Sequence, residues 1–241
     1  MGDKRNYLEP GMKLYFENEV CVEIEEIIGS GGTALTYYGK ELIEEQEPVR
    51  VLLKELYPRS ADFSRDGAGR IVVDNPEAEY IYHTLADALY HEQELGNQIV
   101  QKKIIGLYPM KQVLKEQNTG NYYGLFYQCP SSITLRAFVE KYGSRMSLWG
   151  KLKLIQALCR LIRSMHEQGG YCHNDISGGN VIIISNALLQ AEYLDWSTIE
   201  QELQVGLIDF ACGAKLNQWD EAELPDVSEP MRFHTDGFSA P

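Results

Sequence analysis

The 241-residue sequence has no long apolar run, no internal repeat and no low-complexity tract. Crossing a bilayer takes about 20 mostly apolar residues, and no stretch reaches that length. The N-terminus lacks the apolar core of a secretory signal. The missing repeats exclude solenoid and fibrous classes. We therefore expect a cytoplasmic globular protein, either one two-lobed unit or two small domains.

Paired cysteines and positive charge are also scarce. The five cysteines form no C-x-x-C pair, which favours reduced thiols over a disulfide framework or a zinc site. Lys and Arg number 22 against 35 Asp and Glu, so the formal net charge is −13. This balance disfavours nucleic acid and membrane surfaces as partners, and any bound nucleotide would need local cations.

A polar loop at residues 171–180 separates a helical pattern from a short apolar run. It contains Asp175, which could orient a hydroxyl proton, and Asn180, whose carbonyl oxygen could bind a hard cation. Such a pair suits phosphoryl transfer, where positioning and charge neutralisation provide most of the catalysis. The same H-x-D-x-x-x-x-N spacing also occurs in loops whose Asp and Asn only cap turns. The surrounding sequence has to distinguish a catalytic loop from such a structural one.

Three other features supply that context. An apolar strand pattern at residues 205–208 ends at Asp209, where a carboxylate could face a metal. Near the N-terminus, a glycine-rich turn at residues 29–34 joins two strand patterns, and its backbone amides could approach phosphate oxygens. A third strand pattern at residues 49–58 contains Lys54.

In this order, the glycine-rich turn, Lys54, the polar loop and Asp209 resemble the motifs of the protein kinase family over residues 23–241. The residues around the turn and Lys54 look like a bacterial group of Ser/Thr kinases. The resemblance implies an α+β fold with two lobes. Residues 1–128 would form a small antiparallel-sheet lobe, and residues 129–241 would form a mostly helical lobe.

The resemblance also assigns roles. Asp175 would orient the acceptor hydroxyl, Asn180 and Asp209 would bind Mg²⁺, and Lys54 would hold the ATP phosphates. The glutamate that fixes Lys54 would be Glu92, with Glu94 as the alternative. The expected nucleotide-binding residues are Gly29, Ser30, Gly31, Gly32, Ala34, Thr36, Lys54, Gln128 and Cys129.

Several positions depart from the family pattern. Ala34 replaces the third glycine of the turn, and Pro130 at the expected hinge offers no N–H to adenine. Asn174 stands where many members carry the arginine that grips a phosphorylated activation loop. Ser177 stands where a lysine often touches the transferring phosphate, and Ala211 replaces a glycine.

Three functions follow from these features. The first is an ATP- and Mg²⁺-dependent kinase-like transferase acting on Ser/Thr hydroxyls of a protein substrate. The second is a pseudokinase or nucleotide-sensing interaction module, which the departures favour. The third is a small-molecule phosphotransferase of related fold, which would not be expected to show this glycine-rich turn.

The last residues, 235–241, resemble the A-P-E motif that ends the kinase activation segment. The sequence stops there, so we expect an incomplete C-terminal lobe. Part of the apolar stripe on the helix at residues 148–165 should then face water. The stripe includes Leu152, Ile155, Leu158 and Ile162, and a dimer or a partner over the incomplete lobe is one way to cover it.

Overall fold

The computed structural model describes residues 4–129, 131–189, 202–217 and 222–223. The chain divides into two compact units. One comprises Met1–Gln93 and Met110–Gln128, and the other comprises Glu94–Pro109 and Cys129–Pro241. This division has a boundary between Gln128 and Cys129 and assigns residues 94–109 to the second unit. The two lobes divided at residue 128 stay a prediction.

The described residues form strands and three α-helices, with short 3₁₀ or π segments at residues 143–145, 165–169 and 186–189. In chain order, the elements are β1 (Lys13–Tyr15), β2 (Cys21–Ser30), β3 (Ala34–Leu42), β4 (Val49–Leu56), β5 (Phe63–Arg65), β6 (Ile71–Val73), α1 (Pro76–Gln101), β7 (Leu107–Tyr108), β8 (Gln112–Lys115), β9 (Tyr122–Tyr127), β10 (Ser132–Thr134), α2 (Leu135–Tyr142), α3 (Leu148–Ser164), β11 (Tyr171–Cys172), β12 (Val181–Ile184), β13 (Gln204–Ile208), β14 (Ala214–Leu216) and β15 (Ala222–Glu223).

The first unit is built on a six-stranded antiparallel sheet in the order β1-β2-β3-β4-β9-β8. Apolar residues alternate along its inner strands, so that one face is buried. That face carries Val22, Ile24, Leu35, Tyr37, Val51 and Leu53. A separate hairpin pairs β5 with β6. The three strand patterns around the glycine-rich turn are present, whereas β1 was not predicted.

Helix α1 begins where the sequence indicates. The Asn75 side chain accepts a hydrogen bond from the Ala78 amide at 2.9 Å, and Pro76 takes the first helical position, where its missing N–H costs nothing. Spacing of three or four residues then places one stripe inside the protein. The buried stripe comprises Leu85, Leu89, Glu92, Leu95 and Ile99.

The second unit contains a four-stranded sheet in the order β10-β12-β13-β7 and a three-stranded sheet in the order β11-β14-β15. Thr134 and Ser147 cap α2 and α3 through their side-chain oxygens, as their positions before each helical pattern predict. Gly170 adopts φ +76° after α3, which stops the helical path and leads into β11. The core packs α2 and α3 against β12 and β13.

Helix α3 has an exposed apolar face as well as a buried one. Leu161 and the following Met165 are buried in the core of the second unit. By contrast, Leu152 and Ile155 are 49% and 58% exposed. Leu158 and Ile162 are half-buried and pack against the core. No helix in the described part of the chain is both long and apolar enough to cross a membrane.

Pro130 and the A-P-E-like ending at residues 235–241 lie outside the described ranges. The sequence also indicates an insertion at residues 188–196 and a loop at residues 219–230, and most of each lies outside the described ranges. These stay predictions.

The two faces of α3 should respond differently to truncation. Leu161→Ala removes a buried side chain and should lower the free energy of unfolding by about 2–5 kcal/mol. Ile155→Ala removes an exposed side chain and should cost less than about 1 kcal/mol. Urea unfolding of both variants checks this. Equal costs would mean that the face around Ile155 is covered in solution.

Candidate active site

The first sheet aligns three of the predicted nucleotide-binding residues. Gly29 of β2 lies opposite Thr36 of β3, and Thr36 lies opposite Lys54 of β4. Residues directly opposite on antiparallel strands share a face of the sheet. Gly124 of β9 continues this row beside Lys54. Strand pairing therefore places Lys54 beside the base of the glycine-rich turn.

The glycine-rich turn does not need its central glycines in order to fold. Neither Gly31 nor Gly32 has a left-handed φ. A Cβ atom added to Gly32 would meet nothing within 4 Å, and one added to Gly31 would meet only the Ala34 carbonyl oxygen at 3.6 Å. Glycine loses more conformational freedom on folding than other residues, so its presence here calls for another reason. Close approach of a bound group would supply that reason.

The two other predicted residues near the turn lie at its ends. Ser30 is the last residue of β2, and Ala34 is the first residue of β3 and is buried. The Gly31 amide donates to the Ala34 carbonyl oxygen at 2.9 Å and closes the turn. Ala34 in the third glycine position therefore begins a strand and packs inward.

Burial distinguishes the two candidate glutamates on α1. Glu92 is fully buried, whereas Glu94 is exposed. A glutamate is almost never fully buried without a partner, so the buried position is the one suited to hold a cation. The choice of Glu92 is consistent with this burial. Its pairing with Lys54 stays a prediction.

Gln128 and Cys129 follow β9 and are half-buried. The Cys129 carbonyl oxygen accepts a 2.7 Å hydrogen bond from the Ser132 hydroxyl. Tyr108 also interacts with Cys129. Burial, followed by a hydrogen bond with Cys129, raises the pKa of Tyr108 to about 12. These contacts fix the start of the segment that precedes β10, and adenine binding there stays a prediction.

In the second unit, Asn180 is held against Asp175. The Asn180 side-chain nitrogen donates to the Asp175 carboxylate oxygen Oδ2 at 2.8 Å and to the Asp175 backbone oxygen at 2.9 Å. The amide nitrogen is therefore committed to Asp175, and the carbonyl oxygen Oδ1 is the Asn180 atom that could bind a cation. The predicted acidic residue and the predicted metal ligand are brought together.

Strand pairing places Asp209 beside this pair. Val181 of β12 lies opposite Leu207 of β13, and one step further the Ile208 amide donates to the Asn180 carbonyl oxygen at 3.0 Å. Asp209 follows with φ +61°, a left-handed conformation that costs a residue other than glycine roughly 1–2 kcal/mol. Asp and Asn tolerate it better than most residues. Backbone strain of this kind concentrates at functional sites.

His173 supports the same junction. Its Nε2 atom lies 2.9 Å from the Ile208 carbonyl oxygen, and its Nδ1 atom lies 3.4 Å from the Asp175 amide. An N–H on Nε2 and an acceptor at Nδ1 satisfy both contacts, which fits a neutral ring. The ring centroid is 4.8 Å from that of the buried Phe210. His173 is thus a packing and hydrogen-bonding support for the loop.

Asn174 ties the loop to the segment after Asp209. It has φ +60°, and its side-chain nitrogen donates to the Cys212 carbonyl oxygen at 3.0 Å. The next residue, Gly213, could not be replaced easily, because an added Cβ would lie 2.5 Å from a Leu95 methyl carbon. The sequence predicted that Asn174 would lack the function of an arginine, but it did not predict this bond.

A buried polar network in the first unit was also missed. Glu55 is fully buried and accepts hydrogen bonds from Arg65 at 2.6 Å, Tyr123 at 2.8 Å and Tyr37 at 3.2 Å. The pattern of β4 contains a signal, because Glu55 is in phase with the buried residues Val51 and Leu53. A charge at that phase indicates a buried partner.

These features define a class. A unit built on an antiparallel sheet carries a glycine-rich turn and a strand lysine, and a second unit presents an Asp–Asn pair beside a strand-end Asp. These are the elements of a protein kinase-like fold.

Solved structures support that class. One similar structure is the crystal structure of the BubR1 kinase domain, with a TM-score of 0.52 and 19% sequence identity. The match covers 87% of this chain and 51% of that one, so the chain spans about half the length of the kinase chain it matches. No protein-family model and no curated protein matches the sequence. The likeness shows the fold, and the bacterial Ser/Thr grouping stays a prediction.

The neutral His173 predicts a pH dependence of stability. Burial lowers the pKa of His173 below its ordinary value of 6.5. Below about pH 6.5, the unfolded chain therefore binds a proton at this residue that the folded chain does not. The contribution of His173 to stability should be complete above that pH and should fall as the solution becomes more acidic.

The test is urea unfolding between about pH 7 and pH 5.5. His173→Gln, which does not titrate, should show a smaller loss of stability across this range than the wild type. The matched control, His83→Gln at an exposed histidine, should keep the wild-type slope. An unchanged slope in His173→Gln would contradict the assignment.

Proposed function

We propose that the chain is a kinase-like phosphotransferase that binds ATP with Mg²⁺ and acts on Ser/Thr hydroxyls of a protein. The observation that carries this proposal is the hydrogen-bonded pair of Asp175 and Asn180 before β12, with Asp209 directly after the neighbouring strand β13. Their carboxylate and amide oxygens suit a hard cation and an acceptor hydroxyl. The kinase-like fold supports the same reading.

The metal ligands should depend on the nucleotide. No group of three or more His, Cys, Asp or Glu side chains that could hold a metal occurs within the described ranges. Mg²⁺ requires six oxygens and usually combines one or two protein ligands with phosphate oxygens and water. Asn180 and Asp209 would therefore bind it together with ATP, and the metal would neutralise phosphate charge there.

Asp175 would orient the acceptor. Its Oδ2 atom accepts a hydrogen bond from Asn180, which fixes the plane of the carboxylate. A carboxylate held in this way can accept a hydrogen bond from a substrate hydroxyl and direct its oxygen at the phosphoryl group. This role concerns the acceptor and contributes little to ATP affinity.

The first unit would hold the nucleotide. Lys54, supported by Glu92, would bind the phosphates, and the turn at Gly29, Ser30, Gly31, Gly32 and Ala34 would cover them. Thr36 shares the sheet face of Lys54 and would contact the adenine. Gln128 and Cys129 would offer backbone groups to the adenine edge.

Asn174 bears on regulation. Kinases that carry arginine at this position use it to grip a phosphorylated residue, and this chain lacks that cation. The Asn174 side chain instead bonds directly to the Cys212 carbonyl oxygen. The Cys212 backbone is thereby held without a phosphate, so activity should not depend on a phosphorylated activation loop.

Ser177 favours a second candidate, a nucleotide-binding protein that does not transfer phosphate. Ser177 is buried, and its hydroxyl accepts a hydrogen bond from the Gly179 amide at 3.3 Å. Its carbonyl oxygen accepts from the amides of Asn180 and Val181. The residue therefore shapes the loop and offers no cation to a transferring phosphate. Binding of ATP without transfer would identify this second function.

The metal assignment predicts a specific loss. Wild-type ATP affinity should rise on addition of Mg²⁺, and Asp209→Asn should abolish most of that rise because one anionic ligand is removed. Asn keeps the left-handed backbone of this position accessible, so the variant should fold. Titration calorimetry with and without Mg²⁺ measures the difference. Asp175→Asn is the matched control and should bind ATP–Mg²⁺ as the wild type does.

The same pair of variants tests the chemistry. If the wild type transfers phosphate to a generic protein substrate, Asp175→Asn should reduce the rate by about 10²–10⁴-fold. Unchanged transfer by Asp175→Asn would refute its role. ATP binding that is independent of Mg²⁺, and the same in Asp209→Asn, would refute the metal site.

The glycine-rich turn gives an independent prediction. Gly32→Ala should raise the free energy of unfolding by about 0.4–1 kcal/mol, because the folded chain has room for the methyl group and the unfolded chain loses freedom. The same change should weaken ATP binding, because the methyl group would meet the phosphates. Thermal unfolding and ATP titration measure the two effects. Increased stability with unchanged affinity would show that the phosphates do not approach Gly32.

A further inference from the structure

The N-terminal segment contains a buried arginine that lies outside the region of kinase resemblance. Arg5 precedes β1 and is 8% exposed. Its guanidinium group donates to two backbone carbonyl oxygens, that of Tyr57 and that of Gly31, the second at 2.7 Å. A planar guanidinium can bridge two acceptors in a fixed geometry. Arg5 therefore joins the glycine-rich turn to the residue that follows β4.

A second arginine, Arg59, two residues after Tyr57, contacts the same turn. The Arg59 side chain donates to the carbonyl oxygen and to the hydroxyl of Ser30, each at 3.2 Å. The Arg59 backbone amide donates to the Gly32 carbonyl oxygen at 2.7 Å. The Tyr57 amide donates to the Thr33 carbonyl oxygen at 3.0 Å.

Four consecutive carbonyl oxygens of the turn, at residues 30–33, thus accept hydrogen bonds from residues 5, 57 and 59. This matters because carbonyl oxygens repel phosphate oxygens, whereas backbone amides attract them. A turn whose carbonyls are held on the protein side cannot rotate them toward a phosphate. Much of the ordering that phosphate binding would require is present before binding.

We propose that Arg5 and Arg59 are positioning residues that hold the glycine-rich turn in its phosphate-binding conformation. The inference rests on the proposed function, since it assumes that this turn receives the phosphates of ATP. Neither arginine contacts the nucleotide in this proposal. Each acts through the backbone of the turn.

We call the set of hydrogen bonds from Arg5, Tyr57 and Arg59 to the carbonyl oxygens of residues 30–33 the clamp. Tyr57, which takes part in it, is itself held in place. Tyr57 is buried, and the guanidinium carbons of Arg5 and Arg65 lie 5.7 and 5.0 Å from the centroid of its ring. Arg65 pairs with the buried Glu55 on β4, the strand that also carries Lys54. The clamp therefore connects the turn to the strand that carries Lys54.

The experiment compares two ligands, Mg²⁺–ATP and adenosine, because only the first carries phosphates. The variants are Arg59→Met, at an exposed residue whose loss should not prevent folding, and Arg5→Met. Arg50→Met is the matched control, since Arg50 is an exposed arginine of the same sheet that pairs with Glu25 and lies over the Tyr38 ring. Amide hydrogen exchange at residues 29–34 reports the order of the turn directly.

Arg59→Met and Arg5→Met should each weaken ATP binding by about tenfold, as expected for the loss of charge-assisted hydrogen bonds. Adenosine affinity should change by less than about twofold. Exchange at residues 29–34 should accelerate in both variants and stay unchanged in Arg50→Met. Arg5→Lys should behave like Arg5→Met, because an ammonium group cannot bridge both carbonyls in the same geometry.

Three outcomes would overturn the proposal. Equal losses for ATP and adenosine would mean a general structural role, and faster exchange with unchanged ATP affinity would mean that the order of the turn is irrelevant to binding. Unchanged exchange in Arg59→Met and Arg5→Met would mean that the arginines do not hold the turn. A wild-type protein that binds adenosine and ATP equally, or neither, would instead refute the proposed function, and the exchange result would still decide whether the clamp exists.

Discussion

The backbone of Ile208 is the point on which the polar groups of the second unit depend. Its amide donates a hydrogen bond to the Asn180 carbonyl oxygen, and its own carbonyl oxygen lies in hydrogen-bond contact with the His173 Nε2 atom. These two contacts join the β12–β13 ladder to the polar loop and fix the backbone just before Asp209. Because Asn180 in turn holds Asp175, one main-chain residue sets the positions of three acidic or amide side chains.

In the first unit, several elements also share one hydrogen-bonding group, but this group is the charged side chain of Glu55 and not a backbone peptide. A buried carboxylate is costly unless nearby donors satisfy it, and Glu55 has an arginine and two tyrosine hydroxyls. Burial also raises the pKa of Tyr37 and Tyr123, so both remain neutral donors at ordinary pH. The network joins β3, β4, β5 and β9, so the sheet and the hairpin share one polar anchor.

The sequence predicted the elements whose signals are local and regular. Partial alternation indicated β2, and the glycine-rich turn and the following strand pattern indicated β3 and β4. Residues suited to capping at Asn75, Thr134 and Ser147 marked the helix starts. Two kinds of feature could not be predicted. The two-residue strand β7 pairs in parallel with β13, and it is too short to carry a period.

The polar contacts of the site were the other kind. Arg5 meets Gly31 and Asn174 meets Cys212 across separations of 26 and 38 residues. No local pattern encodes such partners, because they depend on how distant segments are brought together. The residue types of the site could be predicted from the sequence, whereas their hydrogen bonds could be identified only from the folded structure.

The glycines of this chain differ in the reason for which selection would keep them. An added Cβ at Gly206 or Gly213 would collide with a neighbouring side chain, so the fold itself keeps these two glycines. Gly31 and Gly32 have no such constraint. If the chain binds nucleotide as proposed, a lineage that abandoned this binding would lose Gly31 and Gly32 to drift first and keep Gly206 and Gly213. The order in which glycines are lost among descendants would therefore date the loss of the ligand separately from any decay of the fold.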